Sequence, residues 1–269
     1  MVDPGPDDPA HIDAILSALR PGERITDLLV THTHADHSSA SRALRAITGA
    51  WTYGFGPQLR LTDPDTTRVV FGDPELDPDP ATPRRPTGGD RSFRADVRVG
   101  DGDVVEGESW SLEAVHTPGH ASNHLCYLVR EEGMLCSGDH IMGWATTAVP
   151  PPDGKIGEYL ASLEKLLGRS QDLRYLPAHG PPISNPHRLV RAFIAHRRKR
   201  NEQILRLLES GPATIGEVVP RLYADTRKEV WRGAGASVYA HLLHLEEIGI
   251  VEAEDGAQIR RASRVRLRR

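Results

Sequence analysis

Apolar residues recur along the chain at two spacings, and each spacing predicts a different kind of element. Apolar positions three and four residues apart predict helices over residues 12–19, 39–48 and 156–167. Short apolar runs predict strands over residues 25–30 and 112–115. Strands and helices are therefore interspersed through the N-terminal part of the chain, which is typical of sheets that are covered by helices.

Two further apolar runs lie close together, at residues 124–129 and 134–137. The segment Glu131-Glu132-Gly133 between them favours a turn, so the two runs predict a β-hairpin. Between residues 62 and 103 the apolar pattern is lost, because Pro, Asp, Gly and Arg dominate. We predict a long surface insertion there rather than a helix or a strand.

The C-terminal part has a different pattern, in which helices are followed by a short hairpin. After a long helical segment, residues 214–219 and 238–248 predict two more helices. Residues 249–252 and 258–261 predict the two strands of a small wing. Helices followed by such a hairpin are the outline of a winged helix.

Length and composition favour two domains. At 269 residues the chain is near the size at which a single core stops growing, so we predict domains over residues 1–195 and 196–269. No apolar run approaches the roughly 20 residues of a membrane span, and no signal pattern begins the chain. Cys126 and Cys136 lie in apolar stretches, so we expect buried, reduced thiols in a cytoplasmic protein that does not bind membranes.

Charge is divided unevenly between the two ends of the chain. Residues 1–185 carry 16 Lys and Arg against 27 Asp and Glu, whereas residues 186–269 carry 17 against 10. The arginines at the basic end are Arg260, Arg261, Arg264, Arg266, Arg268 and Arg269. One interpretation is that these arginines bind nucleic-acid phosphates. The other is that the C-terminal domain forms a wall of the active site or a homodimer contact, and that its arginines only lie on an exposed, solvated face. The sequence leaves both open.

Three histidines and a carboxylate lie within residues 32–37, directly after a predicted strand. In an extended segment alternate side chains point the same way, so His32 and His34 can hold one cation. Asp36 and His37 follow where the chain must turn, and they are better placed to hold a second cation. We therefore predict a site for two metal ions.

Three later segments share one arrangement, an apolar run that ends in a turn and presents a His or an Asp. Glycine or proline beside each of these residues lets the backbone turn sharply and approach an ion closely. The predicted ligands are His32, His34 and His120 for one ion, Asp36, His37 and His179 for the other, and Asp139 between the two.

These motifs resemble the metallo-β-lactamase superfamily. Its HxHxDH signature corresponds to residues 32–37, its later ligands to His120, Asp139 and His179, and its Asp-Pro-Gly turn to Asp3-Pro4-Gly5. Within the superfamily the chain is most similar to the glyoxalase-II-like branch and its lactamase-beta-like-2 group, whose members add a C-terminal winged helix. The resemblance implies an α/β fold, the αββα metallo-β-lactamase sandwich, with a small C-terminal winged-helix domain. It also implies that the family's N-terminal β-hairpin is missing from this chain.

The predicted chemistry is metal-dependent hydrolysis. Two Zn²⁺ ions, roughly 3.5–4 Å apart, would share a hydroxide as the nucleophile; Mn²⁺ or Fe are alternatives for this donor set. Asp139 would bridge the ions and Asp36 would orient the attacking water, so these two are the predicted catalytic residues.

Three functions remain open at this stage. The favoured one is hydrolysis of a small-molecule thioester or ester, and the alternative is an endoribonuclease that holds single-stranded RNA with the basic C-terminal domain. A DNA-binding regulator with a vestigial metal fold is disfavoured because all seven ligand positions are present.

Other residues have weaker predictions. The candidates for lining the substrate pocket are Trp144, Tyr53, Phe55 and His140, although such aromatics are more often part of an ordinary core. His116 and His140 adjoin ligands and are expected either to orient them or to have no special role. The histidines expected to be surface or hydrogen-bonded side chains are His11, His187, His196, His241 and His244.

Overall fold

The computed structural model describes residues 1–59, 89–90 and 92–269. One sheet contains three parallel strands in the order β1 (Asp27–Leu29), β2 (Trp51–Gly54) and β3 (Val97–Arg98). A second sheet contains, in spatial order, β4 (Val104–Glu106), β5 (Ser111–His116), β6 (Leu125–Val129), β7 (Met134–Gly138) and β8 (Arg174–Pro177). Strands β4 to β7 are antiparallel neighbours, and β8 runs parallel to β7.

Helices cover the outer faces of the two sheets. They are α1 (Pro9–Ser17), α2 (Ala35–Ser38), α3 (Ser41–Thr48), α4 (Ile156–Leu167) and α5 (Pro186–Leu208). Helix α1 begins one residue after Asp8, whose side chain accepts a hydrogen bond from the Ala10 N–H and so caps the helix. Among the described residues, no helix has both the length and the apolar character needed to cross a lipid bilayer. The cytoplasmic location stays a prediction.

Buried side chains place these elements in four layers. Consecutive residues of β1 point to opposite faces, so Leu28 packs with α1 and α3 while Leu29 packs with Tyr127 of β6 between the sheets. The other face of the five-stranded sheet packs against α4 and α5, with Leu163 and Phe193 in that cluster. Each fully buried leucine contributes about 1.5–3 kcal/mol of hydrophobic stabilisation. The order helix, sheet, sheet, helix confirms the predicted αββα sandwich.

The C-terminal part has its own core. Its elements are α6 (Ile215–Leu222), a 3-10 turn (Lys228–Val230), α7 (Trp231–Glu247), β9 (Val251–Ala253) and β10 (Val265–Leu267). Side chains of α6 and α7 pack against the antiparallel β9–β10 hairpin and against the end of α5. Helix α6 begins with a capping box, in which Thr214 and Glu217 bond to each other's backbone N–H groups. This is the predicted winged helix. The predicted boundary at 195/196 lies inside α5 and stays a prediction.

Two elements differ from the sequence predictions. The second wing strand was predicted over 258–261, but β10 lies at Val265–Leu267, where Val265 pairs with Ala253. Ile259 is buried without strand pairing, because its N–H donates to the Glu246 carboxylate at 2.8 Å and its side chain fills the core. The predicted insertion at 62–103 lies largely outside the described residues. Its described end contains the strand β3, so that part of the prediction is wrong.

Candidate metal centre

The ends of four strands meet at one edge of the sandwich, and each presents part of a cluster of His and Asp side chains. The loop after β1 carries His32 and His34, and it leads into the short helix α2, which carries Asp36 and His37. The loops after β5, β7 and β8 carry the other three members of the cluster, His120, Asp139 and His179. The structure therefore brings together all seven side chains that the sequence predicted as ligands.

Three imidazoles form the first half of the cluster. The Nδ1 atom of His34 lies 2.8 Å from Nε2 of His32 and 3.0 Å from Nε2 of His120. In a tetrahedral zinc site with bonds of about 2.0–2.1 Å, neighbouring ligand atoms are about 3.3 Å apart. The three nitrogens are therefore close to the spacing that one cation requires.

The second half of the cluster contains two imidazoles and an exposed carboxylate. One oxygen of Asp36 lies 3.6 Å from Nε2 of His37 and 3.5 Å from Nε2 of His179. The Asp36 side chain is 58% exposed, whereas that of His37 is 2% exposed. This half of the cluster is thus the side that faces solvent.

Asp139 lies between the two halves, and its two oxygens face different groups. Oδ2 is 3.6 Å from Nε2 of His120, while Oδ1 is 3.4 Å from the Nε2 atoms of both His37 and His179. One carboxylate therefore contacts ligand atoms of both halves, as a bridging ligand of a two-metal centre must.

The turn that presents Asp139 requires glycine. Gly138 has a φ of +49°, and a Cβ atom there would lie 2.6 Å from Nε2 of His124 and 2.9 Å from Oγ1 of Thr31. Gly119, directly before His120, has a φ of +140° and packs against the backbone of Tyr159. Both glycines allow the backbone to approach its neighbours closely at a ligand.

Protonation differs between the two halves. Burial, with the neighbouring His120, lowers the pKa of His34 to about 3, and burial lowers the pKa values of His32 and His120 as well. These imidazoles are neutral at pH 7, so their lone pairs are available to a cation. Burial alone would also lower the pKa of His37, but its contacts with Asp139 and Asp3 outweigh that effect and raise it to about 10. In the absence of a cation, His37 therefore carries the charge that balances Asp139, whose own pKa is lowered by His37 against the effect of burial.

A second set of groups fixes the orientation of the rings. His37 Nδ1 donates to Asp3 at 2.9 Å, and Asp3 also accepts bonds from the N–H and the hydroxyl of Thr31. His120 Nδ1 donates to the carbonyl of Ala148 at 2.7 Å. Such bonds hold the opposite ring nitrogen toward the cluster and strengthen it as a ligand.

His124 is a functional residue that the sequence reasoning missed. It is fully buried, and its Nε2 accepts a hydrogen bond from the Asp139 N–H at 3.1 Å while Nδ1 bonds to the hydroxyl of Thr117. It thereby fixes the backbone that carries Asp139. Its position at the start of a predicted strand gave no local signal, because its partner lies 15 residues further along the chain.

The buried atoms of the cluster fit a cation. Nε2 of His37 and Oδ1 of Asp139 are both buried without a hydrogen-bond partner among the described residues. Burying an unpaired polar atom is costly, by about 1–3 kcal/mol or more. A cation between these atoms removes that cost, and imidazole with carboxylate is a donor set that suits Zn²⁺, Mn²⁺ or Fe.

The four pocket candidates have different positions. Trp144 is 70% exposed, and its ring stacks on His179 with centroids 6.0 Å apart, so it lies at the open side of the cluster. Phe55 stacks instead on His116 at 4.3 Å, and Tyr53 packs between the sheets. His140 has no exposed surface, so its prediction as a pocket residue is wrong. The fold buries it against the ring of Tyr159.

The remaining predictions concern histidines and cysteines away from the cluster. His11, His187 and His241 each hydrogen-bond to a neighbouring group, as expected. The ring of His116 bonds to the carbonyl of Ser122 and stacks on Phe55, and neither of these partners is a predicted ligand. Cys126 and Cys136 are both free thiols; Cys126 is buried, as expected, whereas Cys136 is only half-buried.

Three of the six arginines predicted as a basic tail form ion pairs within their own domain. Arg264 forms ion pairs with Glu217 and Glu254, and Arg266 and Arg268 both pair with Glu252. A nucleic-acid phosphate would have to compete with a glutamate for each of these three arginines.

Two family models match the chain. One, described as the metallo-beta-lactamase superfamily, matches residues 1–179 and so contains all seven clustered side chains. The other, described as the beta-lactamase associated winged helix domain, matches residues 214–260.

Curated relatives match along nearly the whole chain. Lactamase-like protein aptB of Emericella nidulans is 29% identical, covering 100% of this chain and 79% of its own length. A beta-lactamase-like protein 2 homolog of Drosophila melanogaster is also 29% identical, covering 96% and 81%. Atrochrysone carboxyl ACP thioesterase nsrC of Aspergillus novofumigatus is 26% identical, covering 96% and 70%.

Solved structures share the fold. A beta-lactamase domain protein from Burkholderia ambifaria superposes with a TM-score of 0.74 at 21% identity, covering 99% of this chain and 82% of its own. A metallo-beta-lactamase family protein from Thermus thermophilus gives a TM-score of 0.68 at 22% identity, covering 99% and 89%. Both likenesses include the sandwich and the winged helix, since they span almost all of this chain.

Proposed function

The chain belongs to the metallo-beta-lactamase superfamily and is a metal-dependent hydrolase, and from that premise we propose that it cleaves a small-molecule thioester or ester at a centre of two divalent cations. The observation that carries the proposal is the convergence of ligand atoms on two adjacent positions that share Asp139. His32, His34 and His120 would hold one cation, and Asp36, His37 and His179 the other. Zn²⁺ is the metal that this donor set suits best.

Some residues of the cluster would hold the cations, and others would orient the attacking water. Two bound cations would supply an activated water and polarise the carbonyl oxygen of the substrate. Asp36 is the most exposed carboxylate of the cluster, so its free oxygen can accept a hydrogen bond from the attacking water and orient it. Asp139, buried and held by His124 through its backbone, fixes the distance between the two halves.

The substrate enters from the open side of the cluster. Trp144 and the partly exposed His179 form a flat wall there, against which an apolar acyl group can lie. A thioester is favoured because two curated relatives are named as atrochrysone carboxyl ACP thioesterases. The ribonuclease alternative has less support, because three arginines of the tail already pair with glutamates.

The proposal is tested by metal analysis with a panel of substrates. The purified protein is stripped, titrated with Zn²⁺, and assayed on an acyl-glutathione thioester, a cephalosporin and a single-stranded RNA. We expect two equivalents of Zn²⁺ to bind, with release of protons because His37 must lose its proton to become a ligand. We expect the thioester to be the substrate that is cleaved fastest. Binding of no metal, or cleavage of RNA alone, would contradict the proposal.

A further inference from the structure

A separate cavity lies where the winged helix meets the sandwich. It has a volume of about 430 Å³, and its walls are formed by the loop 146–150, by α5 and by the first half of α7. This volume is within the range of sites that hold small organic ligands, roughly 300–1,000 Å³. None of the seven clustered His and Asp side chains lines it.

A buried arginine lies in the wall of this cavity. Arg197 is only 4% exposed, and its Nη2 donates to the carbonyl of Thr147 while its guanidinium lies over the ring of Tyr159. Its Nε has no hydrogen-bond partner among the described residues, and no ion pair of Arg197 with a carboxylate is found there. A buried cation without a counter-ion is costly, so the site favours an anion supplied from outside the chain.

A second arginine lies one helical turn further along α5. Arg200 is half-buried, and its guanidinium lies over the ring of Tyr223 at 4.3 Å. Its Nη1 is also buried without a hydrogen-bond partner in the described part of the chain. Like charges at this spacing on a helix repel each other, and an anion between them reverses that effect.

The rest of the lining suits the same kind of ligand. No Asp or Glu is among the residues that line this cavity, whereas Glu246 and Glu247 line the neighbouring one. Thr226 and Ser237 are also among the lining residues, together with the exposed apolar side chains of Pro150 and Val230. The cavity thus combines cations and hydroxyls with a surface for an apolar body.

We propose that Arg197 and Arg200 bind the phosphate group of a phosphate monoester, with the organic part of the ligand against Pro150 and Val230. A phosphate monoester carries a charge of about −1.5 to −2 at pH 7, which two guanidinium groups can neutralise. Arginine also matches phosphate oxygens with two parallel N–H donors. The assignment goes beyond the proposed hydrolysis and does not depend on which bond the metal centre cleaves.

The test is calorimetric titration of the Zn²⁺-loaded protein with phenyl phosphate, at constant ionic strength. Arg200→Gln is expected to weaken binding by about tenfold or more, since a charged hydrogen bond contributes about 1.5–3 kcal/mol. Arg197→Lys keeps the charge but loses the two parallel N–H donors of the guanidinium group. It is expected to weaken the binding of phenyl phosphate by a similar factor. Lys199→Gln removes the same charge from a neighbouring exposed position of α5 and is expected to leave the affinity within about twofold.

Further titrations identify the group that is recognised and the place where it binds. Phenol, which lacks the phosphate, is expected not to bind, and benzoate is expected to bind more weakly than phenyl phosphate. Because phosphate can also bind metal ions, Asp139→Asn serves as the control for binding at the metal centre. The proposal is overturned if Asp139→Asn loses the affinity while Arg200→Gln and Arg197→Lys retain it. Equal binding of benzoate would overturn the assignment to phosphate.

Discussion

Two regions of the molecule are each rich in one kind of side chain: the His and Asp cluster, and the arginine-rich end of the winged helix. They differ in whether neighbouring side chains already bind these groups. At the cluster, ligand atoms converge within 2.8–3.6 Å, and two of them are buried without a hydrogen-bond partner among the described residues. At the wing, Arg264, Arg266 and Arg268 each have a glutamate partner nearby.

This difference in pairing helps to distinguish a cluster of residues that indicates a functional site from one that does not. Several charged or metal-ligating groups that converge at one place and are left without hydrogen-bond partners indicate a binding site, whereas groups that neighbouring side chains satisfy do not. By the same criterion, Arg197 and Arg200 differ from the arginines of the tail although all of them are in the basic part of the chain. The comparison predicts that changes at the cluster have large effects on activity and that changes at the wing have small ones.

Removal of the metal should have the largest effect. A stripped sample is expected to lose the proposed thioesterase activity by about 10⁴-fold, since bound cations supply several kcal/mol to such a reaction. Activity is measured by release of the free thiol, before and after dialysis against a chelator, and Zn²⁺ should restore it. Full activity in protein shown by elemental analysis to be free of metal would remove the basis of the comparison.

Asp139→Asn should be nearly as severe. The amide keeps the shape of the side chain but loses the charge and one oxygen ligand, so we expect a loss of about 10³-fold in kcat. His187→Gln is the control, because His187 only bonds to the carbonyl of Arg169 and lies outside the cluster. In metal-free form His187→Gln is expected to melt close to the wild-type temperature, whereas Asp139→Asn is expected to melt lower, because it removes a charge partner of the buried His37. An active Asp139→Asn variant would mean that the two halves of the cluster do not need a bridge.

The sequence predicted the cluster well because its signals are local. Four ligands lie within residues 32–37, and each of the three later ones follows a short apolar run and lies beside a glycine, as at Gly119-His120 and Gly138-Asp139. The helix predicted over 156–167 matches α4 for the same reason. Local patterns thus predicted several of the elements and the positions where the ligands occur, but not the strands β2, β3 and β4.

Contacts between distant segments were not predictable in this way. Asp3 bonds to His37 across 34 residues, and His124 bonds to the Asp139 backbone across a hairpin. The second wing strand was placed too early because Ile259 looks like a strand residue but is buried by the domain core instead. In each case the deciding partner is far along the chain or belongs to another element.

Asp3→Asn should have a smaller effect than the changes at the cluster itself, because Asp3 contacts a predicted ligand but is not one. Asn accepts the left-handed φ of +48° at this position and keeps the shape of the side chain, so the change isolates the negative charge that faces His37. Loss of such a partner lowers metal affinity by about 10–100-fold. The measurement is competition for Zn²⁺ with a chelating dye. Asp8→Asn is the control, because Asn caps α1 as well as Asp does. Equal Zn²⁺ affinity in both variants would show that Asp3 only supports the fold.

Neutralising the arginines of the wing should have the smallest effect. Deleting the tail is a poor test, because it removes Val265, which is buried and pairs with Ala253. We therefore combine Arg264→Gln, Arg266→Gln and Arg268→Gln, which leave the hairpin in place. Each exposed ion pair contributes about 0–1 kcal/mol, so stability should fall slightly and thioester kcat/KM should stay within about twofold. Affinity for single-stranded RNA, measured over a range of salt, should be as weak as that of the wild type. The contrary result is that the wild type binds RNA tightly and that the triple variant binds it weakly, with a smaller salt dependence. The paired arginines would then still be available to phosphates. In that case, ion pairing with neighbouring glutamates is not what distinguishes the wing from the cluster.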